Sequence, residues 1–357
     1  MSETDVSETT EHRRSGLWRP AGGGPGAGSR SLDLLRQGIG AFGRQREATV
    51  LVVAVALLLY FGIRYTSGFV SSANAQDLLS ETMAPYAIIA IGEVMLLICG
   101  QIDLSVGFTY QFAPFIMYFA ITYYHVPASL AFVLGLLLGL VVGWVNGFLT
   151  VTLGLPSFIT TLGTGFILNG FALVTSHAYP LDIPNSAMGE AHWIGSDAWS
   201  QIIWCLILVV ILQVVLTRTR WGLYTIAVGG NRLGAREAGI NARRIIYGNF
   251  MIVGVLGALV GIQNAFYTNT IDPTAGGYTP MFYGVTAAVI GGTALLGGTG
   301  TIVGAFLGAL ALSTVIDGLD IAGVSANPLG IIFGSAILLA MIANVQLARL
   351  RESGRAP

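Results

Sequence analysis

The stretch ASLAFVLGLLLGLVVGWVNGFL, residues 128–149, carries no charged side chain and is long enough to cross a bilayer as one helix. A helix needs about 20 apolar residues to span the hydrocarbon core, because each backbone polar group there must be satisfied internally. Working outward, the same reading applies to residues 49–69, 83–99, 104–124, 156–175, 201–217, 245–267, 282–297, 299–318 and 324–345. The segments at 83–99 and 282–297 are short and run almost directly into their successors, as broken or re-entrant elements do. The expected fold is therefore all-α: a polytopic transmembrane helical bundle of about ten segments, with eight as the lower bound.

Composition agrees. The chain is 54% hydrophobic and only 10% charged, whereas soluble domains carry about 25% charged residues. A net charge of -1 gives no sign of polyanion binding. Lysine is absent, and all 17 basic residues are arginine. A Walker A loop needs its lysine to reach the nucleotide phosphates, so a standard P-loop is excluded and any ATP that drives this chain is hydrolysed elsewhere. Cys99 and Cys205 sit inside apolar runs, and His12, His125, His177 and His192 are scattered. Neither a catalytic constellation nor a metal or cofactor site is expected.

Arginine placement sets the expected orientation. Arg13, Arg14, Arg19, Arg30, Arg36, Arg44 and Arg46 precede the first span, and Arg349, Arg351 and Arg355 follow the last. Arg218, Arg220, Arg232, Arg236, Arg243 and Arg244 fill the connection between 201–217 and 245–267. The opposite loops carry Asp77, Glu81, Asp182, Glu190, Asp197 and Asp272, with Arg64 as their one arginine. By the positive-inside rule the arginine-rich side is cytoplasmic and both termini lie inside. This divides the chain into a cytoplasmic tail at 1–47, a transmembrane domain at 48–346 and a cytoplasmic tail at 347–357. Within the first tail, Leu32, Leu35, Ile39 and Phe42 share a helical face that suits an interfacial helix, although Gly38, Gly40 and Gly43 weaken it. Outside, the long loop 176–200 holds His177, Tyr179, Pro180, His192, Trp193 and Trp199, a plain connection or a docking face for a soluble partner.

The segment Gly100-Gln101-Ile102-Asp103-Leu104-Ser105-Val106-Gly107 interrupts the apolar pattern. An aspartate at the membrane centre costs about 2.5–3.5 kcal/mol on insertion scales, so Asp103 needs a structural or functional reason. Asp103 or Ser105 suits a cap on the helix that follows, and Gly107 suits a close helix approach. A lining of the transport path is the other reading, shared with Asn146, Asn169, Gln263 and Asn264 inside other apolar runs. Glu93, ten residues before Asp103, sits within the apolar run 88–99. With Asp103 it is the natural pair for ion coupling, although no Arg, Lys or His stands near it in the sequence.

Residues 218–244 are too long for a tight turn. Asn231 can cap a short helix running through Ala238, ended by Gly239 at the C′ position, with Arg232 and Arg236 on one face. Arginine content alone would serve topology; the patterned Gly222, Gly229, Gly230 and Gly239 favour a docking element.

Three ordered segments together resemble the ribose-type ABC sugar permeases, within the wider group of branched-chain amino acid and nucleoside permeases. They are Gly100–Gly107, close to a GGIDLSVG signature with Gln101 in place of its second glycine; Tyr224–Asn231 followed by Ala235, Ala238, Gly239 and Ile240; and the glycine-rich Gly291–Gly304. The resemblance implies a permease subunit of a bacterial inner-membrane importer that translocates a sugar or sugar-like polyol. It implies a homodimer, a cytoplasmic ABC ATPase that binds the ATP and Mg, and a periplasmic substrate-binding protein. It also implies that 218–244 is the ATPase-coupling loop, with Gly229, Gly230, Asn231, Arg232, Ala235, Arg236, Ala238 and Gly239 as its contact set. Import of nucleosides or branched-chain amino acids is the alternative within that group, and an ion-coupled secondary transporter using Glu93 and Asp103 the alternative outside it.

Overall fold

The computed structural model describes residues 46–187, 189, 191–324, 330, 331, 334, 335, 338 and 342. The expected interfacial helix over Leu32–Phe42 and both tails beyond these limits lie outside the described residues, as does most of the last expected span, 324–345.

The regular structure of the described residues is helical apart from two short strands. Helix α1 covers Arg46–Arg64 and α2 Ser72–Ile98, the latter widened to a π turn over Leu78–Met83. That wide turn lies just ahead of Pro85, which has no N–H to donate and whose ring crowds the carbonyl one turn back. Helix α3 is Val106–Tyr124, α4 Ala128–Thr152, α5 Ser157–Ser176 and α6 Ala198–Arg218. Two short helices follow, α7 at Arg220–Gly230 and α8 at Arg232–Glu237, then α9 at Ala242–Thr268, α10 at Tyr278–Ile290 and α11 at Ile302–Ile321.

Seven of the described helices are long and apolar enough to cross a membrane: α1, α2, α4, α5, α6, α9 and α11. One expected span is corrected. The segment 282–297 forms a helix only as far as Ile290, because Gly292, Gly297 and Gly298 turn the backbone into positive φ. Its 13 residues make a rod of about 20 Å, too short to cross alone. Residues 104–124 give α3, a 19-residue helix that starts at Val106 and is long enough to cross; its polar Thr109, Gln111 and interior Pro114 make it less apolar than those seven. Conversely, 83–99 belongs to a helix that starts at Ser72; Asn74, Gln76, Asp77, Ser80 and Glu81 hid its first half behind a polar stretch.

Helix α2 is the central post. Every residue from Ala87 to Ile98 is buried, which is why that run, Glu93 apart, is apolar around its whole circumference rather than along one stripe. Helices α4 and α9 cross against each other at glycines. A Cβ on Gly139 would overlap the carbonyl of Gly254, and one on Gly254 would overlap that of Gly139. Within lipid there is no hydrophobic force between helices, so close backbone approach of this kind supplies the packing.

The two ends of the bundle differ. At one end β1 (Leu181–Asp182) from the α5–α6 connection pairs antiparallel with β2 (Thr270–Ile271) after α9. Here Trp193 packs edge-on to Phe132 while its carbonyl accepts from the Trp204 indole N–H at 2.8 Å. At the other end lie α7, α8 and the glycine-rich link between α10 and α11.

Candidate functional site

Helix α2 stops at Ile98 and the chain folds back along it. Residues 99–105 are not helical, yet they run between packed helices, where each unpaired N–H costs free energy. From Gly100 to Ser105 every backbone N–H has a partner. Gly100 donates to the carbonyl of Leu97 at 2.8 Å and Gln101 to that of Leu96 at 3.1 Å. Ile102 donates to Ser157 Oγ at 3.3 Å, Asp103 to Glu93 Oε2 at 3.4 Å and Leu104 to Thr161 Oγ1 at 3.0 Å. Ser105 donates to Asp103 Oδ1 at 2.8 Å. The wall of acceptors is thus Glu93 on α2, and Ser157 and Thr161 one turn apart at the start of α5.

The polar side chains of the break close on one another. Ser105 Oγ donates to Asp103 Oδ1 at 2.6 Å, and Asn146 Nδ2 lies 2.7 Å from Ser105 Oγ and within 3.3 Å of both Asp103 oxygens. Thr164 in turn donates to Asn146 Oδ1. Glu93, Asp103, Ser105, Asn146 and Thr161 are all wholly buried. The expected cap is corrected: Ser105 occupies the N-cap position of α3 without a side-chain capping bond, and Asp103 closes a local turn onto Ser105 instead. The hydroxyl of Ser105 is drawn to the carboxylate, leaving it turned away from the helix.

Of the other expected path residues, Gly107 accepts through its carbonyl from Gly277 N–H at 2.8 Å, which ties the start of α3 to the start of α10. Asn169 is half-buried and accepts from Gln111 Nε2 at 2.9 Å, and Gln111 also donates to the Pro273 carbonyl. Asn264 lines a small cleft with Tyr110, Gln111 and Asp272. Gln263 is buried against Gly195, apart from the break.

The three glycine-bearing segments meet at one point. The carbonyl of Ile98, left open where α2 ends, accepts from Gly298 N–H at 2.8 Å. Gly229 on α7 presses on the same carbonyl so closely that a Cβ there would overlap it, and that Cβ would also lie 3.0 Å from Gly298 N. Beside this node, buried Asn249 of α9 donates to the Met95 carbonyl at 2.9 Å and reaches Thr225 Oγ1 at 3.4 Å, while its Oδ1 accepts from Trp221 Nε1 at 2.9 Å. One amide therefore clasps α2, α7 and α9 together. Asn249, Ser157, Thr161 and Gln111 escaped the sequence reading; the signal was there, as polar residues inside or at the edge of apolar runs.

Beyond α7 the chain forms a compact turn. Asn231 Oδ1 accepts from Gly234 N–H at 2.9 Å and starts α8. Gly239, at φ +80°, ends it: Gly239 N–H bonds to the Arg236 carbonyl at 3.0 Å and Ile240 N–H to that of Ala235 at 2.9 Å, the paired closure of a Schellman motif. Ala235 is buried, while Arg232, Arg236 and Ala238 are exposed and Gly230 is open on its side-chain face.

Comparison with known proteins accords with this geometry. Residues 77–342 match the family model described as branched-chain amino acid transport system / permease component. The chain is 36% identical over 309 residues to the xylose/arabinose import permease of Sulfolobus acidocaldarius, covering 84% of this chain and 85% of that one. It is 32% identical over 298 residues to the ribose import permease of Bacillus subtilis, covering 82% and 89%. It is 31% identical over 303 residues to the fructose import permease of Rhizobium meliloti, covering 82% and 84%. No solved structure matches the chain. The match spans the helix break, the α7–α8 turn and the late glycine segment together, and the chain belongs to this family of multi-pass membrane permease components.

Proposed function

We propose that the chain is the membrane-spanning subunit of an ATP-driven importer for a monosaccharide or a closely related polyol. The named relatives import pentoses and hexoses, which favours a sugar over the amino acid in the family's description. The arginine-rich side, with the α7–α8 turn, the end of α2 and both termini, is cytoplasmic in this reading, which the positive-inside rule supports. In this reading a separate ATPase sits on residues 218–244, a binding protein delivers substrate from outside, and two copies of the chain enclose the route between them.

The observation that carries the proposal is the node at Ile98. Movement of α8 reaches α2 through Gly229 and Asn249, and α2 ends in the fold-back that holds α3. A push on a cytoplasmic loop therefore has a packed path into the membrane. Asp103, Ser105 and Asn146 act in this reading as the fastening of the fold-back, and the half-buried Asn169 and Asn264 face the route.

The test is co-purification of the tagged chain from its native membranes in mild detergent, paired with uptake assays for ribose, xylose, arabinose and fructose. An ABC ATPase in the complex, and uptake blocked by vanadate but not by an uncoupler, support the reading. Recovery without any ATPase, and uptake that collapses with the uncoupler, would point to coupling through Glu93 and Asp103.

A further inference from the structure

The turn that carries α8 borders an open cavity of about 470 Å³ walled by Val151, Arg232, Arg236, Gly239, Ile240, Asn241, Ala242 and Arg243. Among the described residues, three that bear guanidinium groups stand on that wall and no carboxylate does. Arg232 and Arg236 sit four residues apart on α8, and Arg243 opposes them from the first turn of α9. All three are exposed, and Leu233, between the first two, is 66% exposed.

We propose that this cavity receives carboxylate side chains from the ATPase subunit, so that docking is electrostatic at its centre. The inference rests on the reading of residues 218–244 as the ATPase seat and adds the chemistry of the contact. Guanidinium groups present forked donors that match a carboxylate in two-point contact, and arginine is the cation favoured at protein interfaces. Exposed Leu233, next to Arg232 on α8 but off the cavity wall, adds an apolar contact beside the charges for a protein partner, which a lipid headgroup would not need. The rigidity of the site follows from its construction. The Schellman closure at Gly239 and the Asn241 cap on Arg244 N–H, 3.1 Å away, fix how the cavity wall is presented.

The experiment is recovery of the ATPase with the full-length tagged chain, in low and high salt, for wild type and for Arg232→Glu, Arg236→Glu and Arg243→Glu. Arg64→Glu, the same charge change at the far end of α1, is the control. The expected result is at least a tenfold loss of ATPase for each reversal inside the cavity, a loss on adding salt to wild type, and no change for Arg64→Glu. Arg236→Gln, which keeps length without charge, gives an intermediate loss. Unchanged ATPase recovery in all three reversals, or recovery indifferent to salt, overturns the proposal while leaving the importer reading in place. Loss of co-purifying phosphatidylglycerol with the ATPase retained also overturns it, in favour of a lipid headgroup. Absence of any ATPase from the wild-type chain removes the importer reading together with this one.

Discussion

The carboxylate of Glu93 accepts the backbone N–H of Asp103 at 3.4 Å, across the fold-back that follows α2. Both residues are wholly buried, and the contact gives each a structural reason to be there. Glu93 satisfies a backbone group that has left its helix, and Asp103 satisfies the next free N–H but one, that of Ser105. Two acidic residues that stand out in an apolar sequence as an ion-coupling pair thus each accept a backbone N–H of the broken helix, while Glu93 Oε1 has no hydrogen-bond partner among the described residues.

Asp103→Asn should be more damaging than its size suggests. Asp103 accepts from Ser105 N, Ser105 Oγ and Asn146 Nδ2, so an amide group would set a donor against a donor on one side. Each mismatched buried group costs about 1–3 kcal/mol, and the variant should show reduced thermal stability in detergent and reduced uptake. Stability equal to wild type would show that the network contributes nothing.

Gly229 and Gly230 are neighbours in sequence with opposite constraints. A methyl group on Gly229 overlaps the Ile98 carbonyl, whereas one on Gly230 meets nothing within 4 Å among the described residues. Gly229→Ala should abolish assembly of the node and uptake with it, and Gly230→Ala should leave the amount of folded chain unchanged. Folded yield by size-exclusion profile separates the two, and equal yields would contradict the close approach.

The α4–α9 crossing makes a similar contrast. Gly139→Ala is forced against the Gly254 backbone, while Gly163→Ala enters open space on α5. The first should lower the melting temperature by several degrees and the second should not, because tight cores do not absorb an added methyl without strain. A harmless Gly139→Ala would mean the helices stand further apart.

Asn249→Ala leaves the Trp221 N–H and the Met95 carbonyl without their partner. The buried clasp should weaken by about 1–3 kcal/mol per unpaired group. The expected phenotype is ATPase that still docks but hydrolyses ATP without transport. Coupled transport at the wild-type ratio would show that force reaches α2 by another route.

Orientation is directly testable because Cys99 and Cys205 are both buried. A cysteine placed at exposed Arg236 should react with a membrane-impermeant maleimide from the cytoplasmic side, and one at exposed Tyr179 from the opposite side. The reverse pattern would invert the topology.

The helical class, the α4, α5, α6 and α9 spans and the cap-to-cap extent of α8 were legible in the sequence, because apolar runs and Asn231/Gly239 punctuation encode them locally. The start of α2 was not, since its first turns carry polar residues that tertiary burial tolerates. The end of α10 was misread because leucines at 295 and 296 prolong the apolar run after glycines have already turned the chain. At the site, sequence singled out Asp103, Ser105 and Asn146 but not that they bond to one another. Ser157, Thr161 and Asn249 look like ordinary polar residues until the fold-back brings unsatisfied backbone groups to them.

The most direct test of the account is uptake by cells carrying Glu93→Gln beside Glu93→Leu, with each chain quantified in the membrane. The amide oxygen of glutamine can still accept the Asp103 N–H, so Glu93→Gln should retain uptake within about threefold of wild type, while Glu93→Leu, which leaves that donor unpaired, should lose most of it. Loss of uptake in Glu93→Gln at normal membrane levels, equal to that in Glu93→Leu, would contradict the acceptor role and make the ionisable carboxyl itself the working group.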